Sequence, residues 1–337
     1  MGARVLVVDH EVAARRRLVA ALGRLGLESG EAADGLAALY AVERQARSGA
    51  PFRAVVTEAV LPDIDGTKLL ALLKSRHPGL RVVVAAPEAT AAAMAELVQR
   101  WGGEACVAHP VEPERLAAQV HELVGPKDVA PVRPAPAAAA AAPAAPAAWV
   151  LVELDRTVDP AELRAALAAV PGVAVCDAVR DERFALVLRL QGVAEAELEA
   201  WARRELAGRA GVKSHELVAT KAPLPADELR GFLEGYVREH GDDPEYRRAA
   251  GRAVSYLVVD VHPPELADLY VRLYVLDEVL EIDGAADGRR LVLLLQGPDT
   301  GHLRRVIAER IRPLEGVVRV RELKVVPFEQ DGERGRA

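Results

Sequence analysis

Ala54-Val55-Val56-Thr57-Glu58-Ala59-Val60-Leu61-Pro62-Asp63-Ile64-Asp65-Gly66 is the stretch on which the fold of the N-terminal part turns. Its first four residues form a short apolar, β-branched run, as a strand buried on both faces requires. Pro62 and then Asp65-Gly66 break the run and predict a turn, and a helical pattern follows over residues 66–76. Similar runs at Arg4–Val8, Arg81–Ala85 and Ala105–Ala108 are separated by helical patterns near 12–25, 34–46, 89–101 and 112–124. Alternation of this kind predicts a doubly wound α/β domain with a parallel sheet over residues 1–125. In such a sheet functional groups gather beyond the carboxyl ends of the strands. Asp9 and His10 follow the first strand, Glu58 follows the third, Ala85 ends the fourth and His109 follows the fifth.

The remaining residues extend this reading outward. The chain has 337 residues, 51% hydrophobic but only 4% aromatic, so its cores are expected to be built from Val, Leu and Ala. Two cysteines, Cys106 and Cys176, make no disulfide framework and no metal spacing, which fits a reducing, cytoplasmic compartment. No segment approaches the roughly 18 consecutive apolar residues of a membrane span. Nearly all of the net charge of −7 falls after residue 148, and the only basic run is Arg15-Arg16-Arg17. That distribution argues against direct nucleic-acid binding, which needs a basic face.

Residues 126–148 collapse into Ala and Pro and read as a linker. Beyond it lies an internal repeat. Leu190-Gln191-Gly192 recurs as Leu295-Gln296-Gly297 and Gly211-Val212 as Gly316-Val317, each 105 residues on. Each copy, 149–221 and 253–328, reads strand, helix, strand, strand, helix, strand, which is the split βαβ, α+β ferredoxin-like order. Residues 222–252 form a helical connector in which Leu229, Phe232, Leu233, Tyr236 and Val237 make an apolar stripe. That stripe is expected to pack on the neighbouring sheet, or to pair between chains. A second short helix is expected from Asp243-Pro244, and residues 329–337 are expected to be a disordered tail.

Leu6-Val7-Val8-Asp9, Leu61-Pro62-Asp63-Ile64-Asp65-Gly66 and His109-Pro110 resemble, in spacing, the receiver domain of two-component response regulators. The resemblance covers residues 3–124 and implies a flavodoxin-like fold of five parallel strands. It also implies an acceptor carboxylate, Mg²⁺ held by acidic side chains, a switch hydroxyl and a lysine. Here Glu58 stands at the acceptor, one methylene too long. His10 replaces the second acid, Ala85 stands near the switch hydroxyl, His109 replaces the lysine, and Cys106 stands where the family has an aromatic. Only Asp9, Glu11 and Glu58 are left as Mg²⁺ ligands. Pro62, Asp65, Gly66 and Pro110 are structural turn residues, with a cis bond at His109-Pro110 implied by the family.

Trp149–Leu154, Val170-Pro171-Gly172-Val173 and Ala210-Gly211-Val212 resemble the effector-binding domain of Lrp/AsnC regulators. This implies pairing of sheets, within or between chains, and an amino acid or small metabolite bound with the help of a Gly-containing hairpin. The corresponding hairpin, Arg180-Asp181-Glu182-Arg183, has no glycine, and the helix-turn-helix of those regulators is absent. The expectation is a non-enzymatic signalling protein without a cofactor, in which a pseudo-receiver docks a protein partner. The tandem units would form a homo-oligomer or sense a small molecule. The alternative is a regulator with a working receiver, responsive to phosphorylation or an amino acid, that controls transcription through a partner.

Overall fold

The computed structural model describes residues 3–125, 147–221, 226–240, 248–249 and 251–326. The linker at 126–146, the helix expected at Asp243-Pro244 and the tail at 329–337 lie outside the described residues. The chain divides into two units, Met1–Ala140 with Leu224–Tyr246, and Ala141–Pro223 with Arg247–Ala337.

The first unit alternates β1 (Arg4–Val8), α1 (Val12–Arg24), β2 (Glu28–Ala32), α2 (Gly35–Arg47), β3 (Ala54–Glu58), α3 (Gly66–Arg76), β4 (Arg81–Pro87), α4 (Glu88–Arg100), β5 (Ala105–His109) and α5 (Pro113–Val124). Its sheet is parallel in the order β2-β1-β3-β4-β5, the flavodoxin-like arrangement. Val5, Val7, Ala54, Val56 and Val83 pack against Leu18, Leu22, Leu116 and Val120 of α1 and α5. Leu6, Val8, Val55, Val82 and Val84 point to the opposite face and are also fully buried. The strand β2, Glu-Ser-Gly-Glu-Ala, has no apolar pattern because it is a sheet edge on which only Ala32 is buried.

A sixth helix, α8 (Asp227–His240), completes this unit by packing on α3 and α2. The apolar stripe of the connector therefore lies neither on a neighbouring sheet nor between chains. Leu229, Phe232, Leu233 and Tyr236 are buried, and Val237 is left 44% exposed at the edge of the stripe. Gly231 and Gly235, one turn apart, let the helices approach closely. A Cβ at Gly235 would lie 2.8 Å from Ser75 Oγ, and one at Gly231 would lie 2.7 Å from Arg76 Nε. Ser75 donates to the Phe232 carbonyl at 3.3 Å, and the His77 ring lies 5.5 Å from that of Phe232. Lys68 reaches the Tyr236 hydroxyl at 3.3 Å. Covering by α8 explains why α3 buries Leu69, Leu70, Ala71, Leu72 and Leu73 in succession, more than one helical face could against a sheet.

The second unit contains β6 (Ala147–Leu154), α6 (Pro160–Ala168), β7 (Val173–Arg180), β8 (Leu186–Gln191), α7 (Glu195–Glu205) and β9 (Val212–Lys221). It continues with β10 (Ala253–Val261), α9 (Leu266–Tyr274), β11 (Val279–Ala285), β12 (Arg290–Gly297), α10 (Thr300–Val306) and β13 (Val317–Val325). Asp159 caps α6 through the Ala161 amide at 2.9 Å, with Pro160 in the first turn, as its sequence dictates. The eight strands close into one barrel, β10-β12-β11-β9-β6-β8-β7-β13. Pairing of β9 with β11 and of β7 with β13 makes the two seams. Alternate residues of β6, β7 and β8 face the α6 and α7 helices, and those of β10, β11 and β12 face α9 and α10. The other set, including Trp149, Leu151, Phe184, Tyr256, Leu294 and Leu323, fills the interior. The two copies thus pair within one chain. Closure leaves these barrel strands without a free sheet edge.

Candidate functional site

The loops at the carboxyl ends of β1, β3, β4 and β5 bring the predicted residues together. Glu58 ends β3 and is turned toward His109, whose Nε2 lies 2.9 Å from Glu58 Oε1. The Glu58 side chain is 14% exposed and that of His109 35%, so the pair is only partly open to solvent. Asp9 Oδ1 accepts from the Glu11 amide at 2.7 Å, and the His10 ring is 3.9 Å from the same oxygen. Arg15 donates to the Asp9 carbonyl at 2.6 Å. Ala85 pairs with Glu58 across the sheet and offers no hydroxyl. Among the described residues no three His, Cys, Asp or Glu side chains are grouped to hold a metal ion. Cys106 donates to the Ala91 carbonyl at 3.6 Å, and burial pushes its thiol pKa up, away from the reactive thiolate.

The turn residues have distinct physical tasks. A Cβ at Gly66 would lie 2.2 Å from the Glu58 carbonyl oxygen, so only glycine lets α3 start so close to β3. Asp65 precedes α3 as its N-cap residue, and its carbonyl accepts from the Leu69 amide at 2.8 Å. Pro62 precedes Asp63, which is 8% exposed and accepts from the Gly35, Leu36 and Ile64 amides at 2.8, 2.9 and 2.6 Å. Asp63 thereby satisfies the orphan donors at the start of α2 and ties that helix to the loop after Glu58. The His109-Pro110 bond is cis.

Residues 5–121 match the family model of the response regulator receiver domain. The N-terminal domain is a receiver. Solved structures similar to it include a CheY-like receiver domain protein from Methanospirillum hungatei, with 24% identity, a TM-score of 0.33, and 37% of this chain and 94% of that one covered. The chemotaxis regulator CheY4 of Vibrio cholerae is 21% identical, with a TM-score of 0.33 and coverage of 36% and 99%. The receiver domain of NtrX from Brucella abortus is 29% identical, with a TM-score of 0.33 and coverage of 36% and 99%. No curated protein matches the chain. A receiver places the chain in two-component signalling. Among the described residues no helix is long and apolar enough to cross a membrane.

Sequence reading missed a second constellation, inside the barrel. The Trp149 indole N–H donates to Asp283 at 2.8 Å, and the Tyr256 hydroxyl donates to Asp177 at 2.6 Å. The two rings meet edge to face, 5.4 Å apart. Arg189 bonds Glu281, lies 3.6 Å from Asp283 and sits over the Trp149 ring. Burial, and then repulsion by Asp283, push the Glu281 pKa up against the opposing pull of Arg189. Burial and Asp177 together push the Tyr256 pKa up, so its proton stays in the hydrogen bond. The structure also brings His302 to within 2.8 Å of Glu278, a pair that the sequence left scattered. Strand alternation marks Trp149 and Tyr256 as inward-facing, but it does not say which carboxylate across the barrel each one meets.

Proposed function

We propose that the protein is a non-enzymatic cytoplasmic signalling protein of two-component lineage, with a pseudo-receiver fused to a small-molecule-sensing module. The observation that carries this reading is the Glu58–His109 contact at 2.9 Å. A receiver accepts a phosphoryl group on a carboxylate that is free to attack and is flanked by Mg²⁺ ligands. Here the carboxylate is longer by a methylene and engaged by an imidazole, and among the described residues no three His, Cys, Asp or Glu side chains are grouped around a metal position. Displacement on the ångström scale alone costs about a hundredfold in rate. The fold then serves contact rather than chemistry. One contact is already made inside the chain, by α8 on α2 and α3. A protein partner is proposed to use the rest of the receiver surface.

The halves β6–β9 and β10–β13 are proposed to be ferredoxin-like units related to the Lrp/AsnC effector domain. Their strand orders, β9-β6-β8-β7 and β13-β10-β12-β11, with a helix after the first and third strand of each, support this. An amino acid or small metabolite is the proposed effector.

Incubating the full chain with labelled acetyl phosphate and Mg²⁺ tests the receiver. The expected result is no stable incorporation, and label that disappears on Glu58→Gln would overturn it. Thermal shifts of the full chain against the amino acids test the sensing module, and flat melting temperatures throughout would count against that part.

A further inference from the structure

The barrel carries an internal two-fold correspondence. Leu190-Gln191-Gly192 and Leu295-Gln296-Gly297 align at an offset of 105, so Arg189 corresponds to Leu294 and Val187 to Val292. Asp177 lies opposite Val187, and Asp283 lies opposite Val292. Trp149 lies opposite Arg189, and Tyr256 opposite Leu294. Asp177 and Asp283 are therefore equivalent positions, as are Trp149 and Tyr256. Each first-strand aromatic donates to the second-strand aspartate of the other half.

The correspondence breaks at the cation. Asp283 has Arg189, a residue of the barrel wall, at 3.6 Å. At the position equivalent to Arg189 the wall carries Leu294, which has no charge to offer Asp177. Asp177 is instead met by Arg248, which belongs to no strand and precedes β10. Its Nη1 and Nη2 bond the two Asp177 oxygens at 2.7 and 3.2 Å, an end-on bidentate pair. The next residue, Ala249, donates its amide to Gln296 Oε1 at 2.7 Å. The Asp177 side chain is 9% exposed and that of Arg248 41%. A rigid, buried carboxylate with one oxygen fixed by a fully buried tyrosine is thus matched to a planar cation that arrives from outside the wall.

We infer that Asp177 and Tyr256 form a binding site for a small alkylguanidinium ligand, occupied in this structure by the chain's own Arg248. The ligand's fork would take the two carboxylate oxygens, and its alkyl stem would follow the path that Arg248 now fills. Binding would release the Arg248–Ala249 segment from Asp177 and Gln296. The inference rests on reading the barrel as the sensing half of the protein.

Equilibrium dialysis of the full chain against radiolabelled agmatine tests it. Arg248→Ala should retain about one agmatine per chain, at least tenfold more tightly than the wild type, where Arg248 competes. The double variant Asp177→Asn with Arg248→Ala should lose that retention. Absence of retention by folded Arg248→Ala, or equal retention by the double variant, overturns the site and leaves Arg248 a structural ion pair. If Arg248→Ala does not fold by circular dichroism, Arg248→Lys replaces it, because one ammonium cannot span both oxygens. That variant should retain more agmatine than the wild type, and equal retention would overturn the site. A barrel that responds to amino acids while failing these tests would lose this site but keep its sensing role.

Discussion

Truncating Phe232 to alanine should loosen the receiver and leave the barrel alone. Phe232 is 0% exposed at the centre of the α8 stripe, its ring lies against His77, and its backbone carbonyl accepts from Ser75. Removing a fully buried phenyl costs about 3–5 kcal/mol, part transfer free energy and part cavity. At about 1.4 kcal/mol per tenfold, amides that exchange by local opening of α3 and α8 should do so roughly 10²- to 4 × 10³-fold faster. Hydrogen exchange on the full chain, read by mass spectrometry, resolves the location as well as the size. Peptides from 66–76 and 227–240 should lose protection, and peptides from β6 to β13 should keep it. If α3 and α8 stay protected to within about threefold, the helix does not hold this unit together and the account of α3's burial is wrong. Loss of protection in the barrel instead would place Phe232 in the other unit.

Other expectations follow from the same geometry. Burial lowers the His77 pKa from its ordinary 6.5, against the opposing pull of Glu43. The unfolded chain therefore takes up a proton that the folded one resists, and receiver stability should fall as pH drops below about 6.5. His77→Gln should flatten that dependence in denaturant titrations between pH 7.5 and 5.5. Gly66→Ala forces a methyl to 2.2 Å from the Glu58 carbonyl and should cost about 2 kcal/mol or more, measured by chemical denaturation. An unchanged midpoint would mean that α3 can shift freely. Asp63→Ala leaves three amides at the start of α2 and in the adjoining loop without their acceptor and should destabilise the receiver by about 2–3 kcal/mol, seen in the same assay. Tyr256→Phe removes the donor that fixes one oxygen of buried Asp177 and should lower barrel stability by about 1.5–3 kcal/mol. Barrel melting indifferent to that change would argue that Asp177 needs no second donor.

Much of the fold was legible because its signals are local. The valine runs at Val5–Val8 and Val82–Val84, the Asp65-Gly66 turn and the Asp159-Pro160 cap are each written within a few residues. The repeat at an offset of 105 set out both halves of the barrel. The edge strand Glu28–Ala32 was invisible, since an edge buries too little to impose a pattern. The linker boundary slipped by two residues, because Ala147 and Ala148 are as plain as the alanines before them yet pair with β8. The fate of α8 did leave a trace, in the five successive apolar residues Leu69–Leu73, which announce that something must cover α3 from outside.

The sequence by itself marked out a receiver-like sheet with an altered pocket and, beyond the linker, a strand-and-helix pattern that recurs at an offset of 105. Hydrophobic period, turn chemistry and repeat spacing are properties of neighbouring residues, and they survive without the fold. Only the tertiary structure decided where the long-range partners lie. It placed His109 on Glu58 across 51 residues and closed the two copies into one barrel within the chain. It also sent α8 back to the receiver and set Arg248 on Asp177. Each of these contacts joins residues whose own surroundings are satisfied by many partners. The choice among those partners is made by closure of the sheet and by packing, which no short stretch of sequence contains.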